Sequence, residues 1–191
     1  MRLFVAAPLP TEIHRRLAEI QEALRPLAPA RVSWVRPEGI HLTLKFIGEV
    51  GEERLPEIKT ALDGAHKGVS PFLLEARNVQ CEGRPPEEPR LIWILVQGSR
   101  EALERLQGDI ERVLERVGFP RESRRFKPHL TLGRVKARGR ADWGPLMERA
   151  AGADAGEFIV AEYGLYQSRL APEGATYATL ERYPLTPEGR P

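Results

Sequence analysis

His41-Leu42-Thr43-Leu44 returns letter for letter as His129-Leu130-Thr131-Leu132. The chain has four histidines, and two of them open the same four-residue word. Each copy lies in a run that alternates apolar and polar residues, His41 to Ile47 and His129 to Val135, the pattern of a half-buried strand. On a strand, residues i and i+2 share a face. His41 and Thr43 therefore point one way and Leu42 and Leu44 the other, and the second copy repeats this. Alpha-carbons two apart lie about 6.5 Å from each other, so an imidazole and a hydroxyl at that spacing can reach one phosphate-sized group. Two such pairs face to face would set two titratable nitrogens and two neutral donors around one anion. One copy alone reads as an amphipathic strand with a wet side; two identical copies point to a site.

Histidine suits proton transfer because its pKa lies near neutrality, so one ring can give a proton while the other takes one. Threonine hydroxyls can donate to non-bridging phosphoryl oxygens, where charge accumulates. This is phosphoester chemistry with no metal and no cofactor. Neither histidine has a carboxylate at ligand spacing of the His-Glu-x-x-His kind, which argues against a two-histidine metal site. The absence of a Walker-type glycine loop argues against an ATP-driven reaction.

The paired His-x-Thr-x motifs resemble those of the two-histidine phosphoesterases, and within that group the RNA 2′,3′-cyclic phosphodiesterases, also called 2′-5′ RNA ligases. The opening Met1 to Pro10, Trp34-Val35-Arg36-Pro37 before the first motif, Phe46-Ile47-Gly48 after it, and Arg134 after the second fit the same family, so the likeness spans nearly the whole chain. The resemblance implies an α+β fold of two pseudo-two-fold lobes, with antiparallel sheets lining a central cleft and helices outside. It implies hydrolysis of an RNA-terminal 2′,3′-cyclic phosphate to a 2′-phosphate, with His41 as general acid, His129 as general base and Thr43 and Thr131 on the phosphoryl oxygens. From the residues alone the two histidines are interchangeable. Arg134 could add a charge-assisted contact. Three residues beyond Thr131 it would sit on the opposite face of a regular strand, so a bend or bulge near Gly133 is required. Trp34 and Phe46 could stack on a terminal base but read better as core. Two alternatives stand beside hydrolysis: ATP-independent 2′-5′ joining of tRNA halves by the reverse reaction, and an RNA- or nucleotide-binding cleft without turnover.

The 191 residues are enough for a sizeable core, read as one bilobal domain over 1–191. With 41% hydrophobic and 29% charged residues the composition is that of a soluble globular chain. No apolar run approaches the roughly 18 residues of a membrane helix, and the N-terminus does not read as a signal peptide. Cys81 is the only cysteine, which excludes an intrachain disulfide. These features predict a cytoplasmic monomer. Net charge is only +2, but Arg121, Arg124, Arg125 and Lys127 precede the second motif and Arg134, Lys136, Arg138 and Arg140 follow it. Such a cluster would draw a polyanion such as RNA.

Spacing predicts a strand over 2–7 and a helix from Thr11 to about Leu27 with Ile13, Leu17, Ile20 and Leu24 inward, leaving His14 exposed on the surface. Extended structure follows over 32–35. A second helix runs over 55–66, with His66 near its C-terminus. Strands are expected over 72–79 and 91–96, the latter buried on both faces. Ser99 caps the longest helix, which runs to Val117 with Leu103, Leu106, Ile110, Val113, Leu114 and Val117 inward. A short helix over 142–151 precedes strands over 158–168 and 175–183, joined through Pro172-Glu173-Gly174.

Overall fold

The computed structural model describes residues 1–65, 68–83, 88–136, 141–171 and 174–186. His66, Arg138, Arg140 and the turn residues Pro172 and Glu173 lie outside the described residues. In chain order the elements are β1 (Arg2–Ala7), α1 (Thr11–Leu24), β2 (Val32–Trp34), β3 (Leu42–Glu49), α2 (Leu55–Asp63), β4 (Phe72–Gly83), β5 (Pro89–Gly98), α3 (Arg100–Arg116), β6 (His129–Val135), α4 (Gly144–Ala150), β7 (Asp154–Val160), β8 (Glu162–Ala171) and β9 (Gly174–Pro184).

The strands form two antiparallel sheets, one in the order β3-β1-β8-β9, the other β2-β6-β5-β4-β7. The two orders superpose as β3 on β6, β1 on β5, β8 on β4 and β9 on β7, with β2 added at one edge. The first repeat runs β1, α1, motif strand β3, α2, β4, and β4 joins the other repeat's sheet beside β5; the second runs β5, α3, motif strand β6, α4, β7, β8, and β8 joins the first repeat's sheet beside β1. The helices cross as well. α1 follows β1 but packs on β7 and α4, while α3 follows β5 but packs on β3 and α2. The expected bilobal α+β architecture is present, and its lobes are interlaced by exchange of strands and helices. β3 and β6, the motif strands, lie next to each other between the lobes.

The sequence suggested one strand over 158–168, where the chain makes two. Phe158 and Val160 are buried on β7; Tyr163 and Leu165 are buried on β8. Inward positions change from even to odd at Ala161, because the chain leaves one sheet and enters the other. Ala161 accepts a hydrogen bond from the Leu185 N–H at 2.8 Å. β5 is also less enclosed than expected, since Leu91 and Leu95 face outward half-exposed while Ile92, Ile94 and Val96 face the core.

On α1 the buried stripe is Ile13, Leu17, Gln21 and Leu24; Ile20 is only half-buried. On α3 it is Leu103, Leu106, Ile110, Glu111 and Leu114. Ser99 occupies the N-cap position of α3, but its side chain makes no capping bond. Among the described residues the buried polar or charged side chains are Gln21, Lys45 and Glu111. All three serve the motif strands.

Candidate active site

Both motif strands carry a bulge at the same place. Val5 pairs with Lys45 and Ala6 with Thr43, so Leu44 is an extra residue in β3. Ile92 pairs with Gly133 and Trp93 with Thr131, so Leu132 is the extra residue in β6. In both cases the bulge falls on the last leucine of the tetrapeptide. A bulge puts two successive residues on one side. Leu44 and Lys45 both turn inward, and so do Leu132 and Gly133. The residue three beyond each threonine therefore rejoins the histidine face. In β6 that residue is Arg134, which the requirement for a bend near Gly133 anticipated. In β3 it is Phe46. A side chain at 133 would collide with β2, since its Cβ would lie 2.7 Å from Val32 Cγ1.

Helices from the opposite repeats support the bulges. The Gln21 side-chain amide, 1% exposed, donates to the carbonyls of Leu132 and Val35, each at 2.8 Å. On the other side the Gln107 amide reaches the Leu44 carbonyl at 3.5 Å and Glu111 Oε1 at 3.1 Å. Lys45, turned inward, meets Glu111 Oε2 at 2.5 Å and donates to the Pro120 carbonyl at 2.8 Å. Glu111 in turn accepts the Glu122 N–H at 3.3 Å. The first motif strand is thus tied to the start of the basic loop that leads to the second.

His41, Thr43, His129, Thr131 and Arg134 line one cavity of about 440 Å³ between the sheets. Arg2, Phe4, Phe46 and Tyr177 share it, and no aspartate or glutamate is among the described lining residues. Both imidazoles are held alike. His41 Nδ1 lies 2.8 Å from the Gly39 carbonyl and His129 Nδ1 2.7 Å from the Lys127 carbonyl, in each case two residues upstream. A carbonyl can only accept, so both Nδ1 atoms carry hydrogen, leaving Nε2 with the lone pair in the neutral ring. Each ring also rests on an aromatic side chain of the neighbouring strand: His41 stacks on Phe4 at 4.7 Å, and Trp93 meets His129 edge-on at 5.4 Å.

The two histidines differ in their surroundings. Tyr177 closes the other side of His41 at 4.9 Å. Burial lowers the His41 pKa to about 4, and the nearby charges of Arg134 and His129 act in the same direction. His41 is therefore neutral near pH 7.

Two sequence readings need correction. Phe46 is not core: it is 63% exposed, because the bulge at Leu44 turns it to the cleft. His14 is not a free surface residue either. It is half-buried, and its Nε2 lies 3.1 Å from the Ile40 carbonyl, next to His41. Trp34 does pack against the core, with the Arg25 guanidinium 5.3 Å over its ring.

A model of the LigT-like phosphoesterases matches the chain twice, over residues 7–93 and 94–177. The chain belongs to the LigT-like phosphoesterase family. The division between the two matches falls within β5, where the second topological repeat begins. Among the relatives of this LigT-like chain is an RNA 2′,3′-cyclic phosphodiesterase of Methanothermobacter thermautotrophicus, 33% identical over 97% of this chain and 99% of the relative. Another, with the same name, comes from Archaeoglobus fulgidus, at 35% identity over 94% and 98%. Of solved structures, E. coli LigT complexed with 3′-AMP superposes with a TM-score of 0.75 at 28% identity, covering 97% of this chain and 98% of that one. The chain is thus an enzyme of the phosphoesterase class.

Proposed function

We propose that the chain hydrolyses RNA-terminal 2′,3′-cyclic phosphates to 2′-phosphates by metal-independent acid-base catalysis. One observation carries this reading: two imidazoles, each with Nδ1 tied to a carbonyl and Nε2 without a partner among the described residues, share with two threonines and Arg134 a cavity whose described lining holds no carboxylate. An anion entering it meets donors and positive charge on several sides. In the proposed step, His129 Nε2 removes a proton from water and the water oxygen attacks phosphorus. The bond from phosphorus to the 3′-oxygen breaks, and His41 Nε2 delivers a proton to that oxygen. Thr43, Thr131 and Arg134 hold the non-bridging oxygens. The names of the relatives support the substrate class. The division of roles comes from the family resemblance. Burial of His41 runs against a resting imidazolium, so the bound phosphodiester must supply the negative charge that draws a proton onto it.

The test is turnover of 2′,3′-cyclic AMP and of an oligonucleotide ending in a cyclic phosphate, with the product isomer identified. His41→Ala and His129→Ala should each lose about 10²- to 10⁴-fold in turnover with circular dichroism unchanged, and EDTA should have no effect. A 3′-phosphate product, full activity in either variant or loss in EDTA would overturn the reading. The acid role is tested separately with an aryl phosphodiester. Its leaving group needs no proton, so His41→Ala should retain most activity on it while His129→Ala should not.

A further inference from the structure

A second cavity, of about 750 Å³, is bounded by β4, β5, the start of α3 and the loop over 125–128. Two of its lining residues touch His129, which lines the first cavity. Trp93 and Lys127 line the second, yet the Trp93 ring meets the His129 ring and the Lys127 carbonyl holds His129 Nδ1. The loop between them is anchored, because the Pro128 carbonyl accepts the Val96 N–H at 3.1 Å. The cavity offers three cations, Arg100, Arg125 and Lys127, against one lining carboxylate, Glu82. Lys127 pairs with Glu82 at 3.6 Å and Arg100 with Glu104 at 2.8 Å, both exposed contacts that water screens. Arg125 is exposed and has no ion-pair or hydrogen-bond partner among the described residues. The half-buried Phe126 supplies aromatic surface between these charges, with the buried Trp93 beneath.

We propose that this second cavity holds the one or two nucleotides immediately 5′ of the reacting end of single-stranded RNA. The inference rests on the cyclic-phosphate reading above. A 3′-terminal ring seated at the histidines leaves the strand one direction in which to continue, toward its 5′ side. A pocket with aromatic surface and cations is the usual means of holding a flexible strand through base stacking and phosphate contacts. The volume falls within the range of small-ligand pockets, about 300–1,000 Å³. Sequence preference at these positions would be weak, since stacking accepts every base.

The test compares kcat/KM for 2′,3′-cyclic AMP with that for a trinucleotide ending in the same adenosine cyclic phosphate, for the unaltered protein and for Arg125→Glu. The trinucleotide should be favoured by about tenfold or more, and Arg125→Glu should cut that ratio by about tenfold. The salt dependence of trinucleotide binding should also lose about one phosphate contact in slope. Using the ratio cancels any effect of the variant on the chemical step, and the Arg125 side chain makes no hydrogen bond or ion pair among the described residues that folding would lose. A ratio near one in the unaltered protein, or one unchanged in Arg125→Glu, overturns the proposal. Failure to turn over either substrate would instead overturn the reading of the catalytic cleft.

Discussion

Replacing Lys45 with methionine tests the tie between the two halves of the site. Lys45 is 5% exposed and Glu111 6% exposed. Methionine keeps most of the aliphatic stem, so the packing lost is small. The charge balance is what changes. Without the ammonium, the Glu111 carboxylate retains only the Glu122 N–H and the Gln107 amide as donors, and the Pro120 carbonyl loses its lysine donor. Breaking a buried pair from one side costs about 3–5 kcal/mol. For a chain of this length each kcal/mol moves Tm by about 2–4 °C, so Tm should fall by about 6–20 °C. Lys45→Met/Glu111→Leu removes both charges, and in comparable cases such replacement is neutral or stabilising. Here the Pro120 carbonyl and Glu122 N–H still lose partners, at about 1–3 kcal/mol each where they remain buried. The double variant should therefore recover part of the single loss, with a coupling of at least about 2 kcal/mol. Urea denaturation at pH 7 of the four proteins in the cycle measures it. A single variant within about 1 kcal/mol of the unaltered protein, or a double variant no more stable than Lys45→Met, would refute the reasoning.

Gln21→Met should destabilise by about 1–2 kcal/mol, because the Val35 carbonyl is left without that donor while the unpartnered Gln21 Oε1 is also removed. Its loss of kcat/KM should be much smaller when Arg134 is already alanine, since Gln21 acts through the bulge that orients Arg134; additive losses would disprove this. For His41, the folded pKa of about 4 lies below the ordinary 6.5, so the folded state binds fewer protons than the unfolded between those values. Its contribution is complete above pH 6.5 and is lost as pH falls toward 4, by on the order of 1–3 kcal/mol. Unfolding free energies at pH 7 and 4.5 should show a smaller acid loss in His41→Asn, and equal losses would contradict the burial argument. Phe46→Ala should leave Tm nearly unchanged, because the ring is exposed. It should cost about 1–3 kcal/mol in transition-state binding of nucleotide substrates if the ring stacks on the base, read from kcat/KM.

The motif strands were legible because period-2 alternation survives through His41 to Leu44 and His129 to Leu132. Arg134 was legible only conditionally, since counting along a straight strand puts it on the wrong face. The same counting puts Phe46 in the core, because no break in the apolar-polar alternation of Leu44-Lys45-Phe46 marks the bulge in β3. One signal was present in retrospect, the charged Lys45 at a position where a bulged strand turns inward. It is satisfied by Glu111 and the Pro120 carbonyl, both distant in sequence, and Glu111 is indistinguishable from the other acidic residues of α3 until the fold joins them. Gln21 was missed because Ile20 offered a better apolar stripe. The break at Ala161 was hidden because apolar residues continue on both sides of it. His14 was read from its helical neighbours alone, whereas its partner, the Ile40 carbonyl, comes from a loop packed on that helix.

Near-symmetry poses a chemical problem that the surroundings of the motif resolve. Each half supplies a histidine tied at Nδ1, a threonine, an aromatic beneath the ring and a bulge backed by glutamine, and an ideal two-fold axis would make the imidazoles equal. Acid-base catalysis requires them to hold different protons at the moment of reaction. The difference arises outside the repeated tetrapeptides. His41 lies between Phe4 and Tyr177, whereas His129 opens beside the basic loop. The position three beyond the threonine is Phe46 in one half and Arg134 in the other, which places an aromatic face and a fixed charge on opposite walls of the cleft. In the proposed reaction the tetrapeptides bring the reacting atoms together, and the unlike residues around them set which way a substrate with one base and one phosphate would lie.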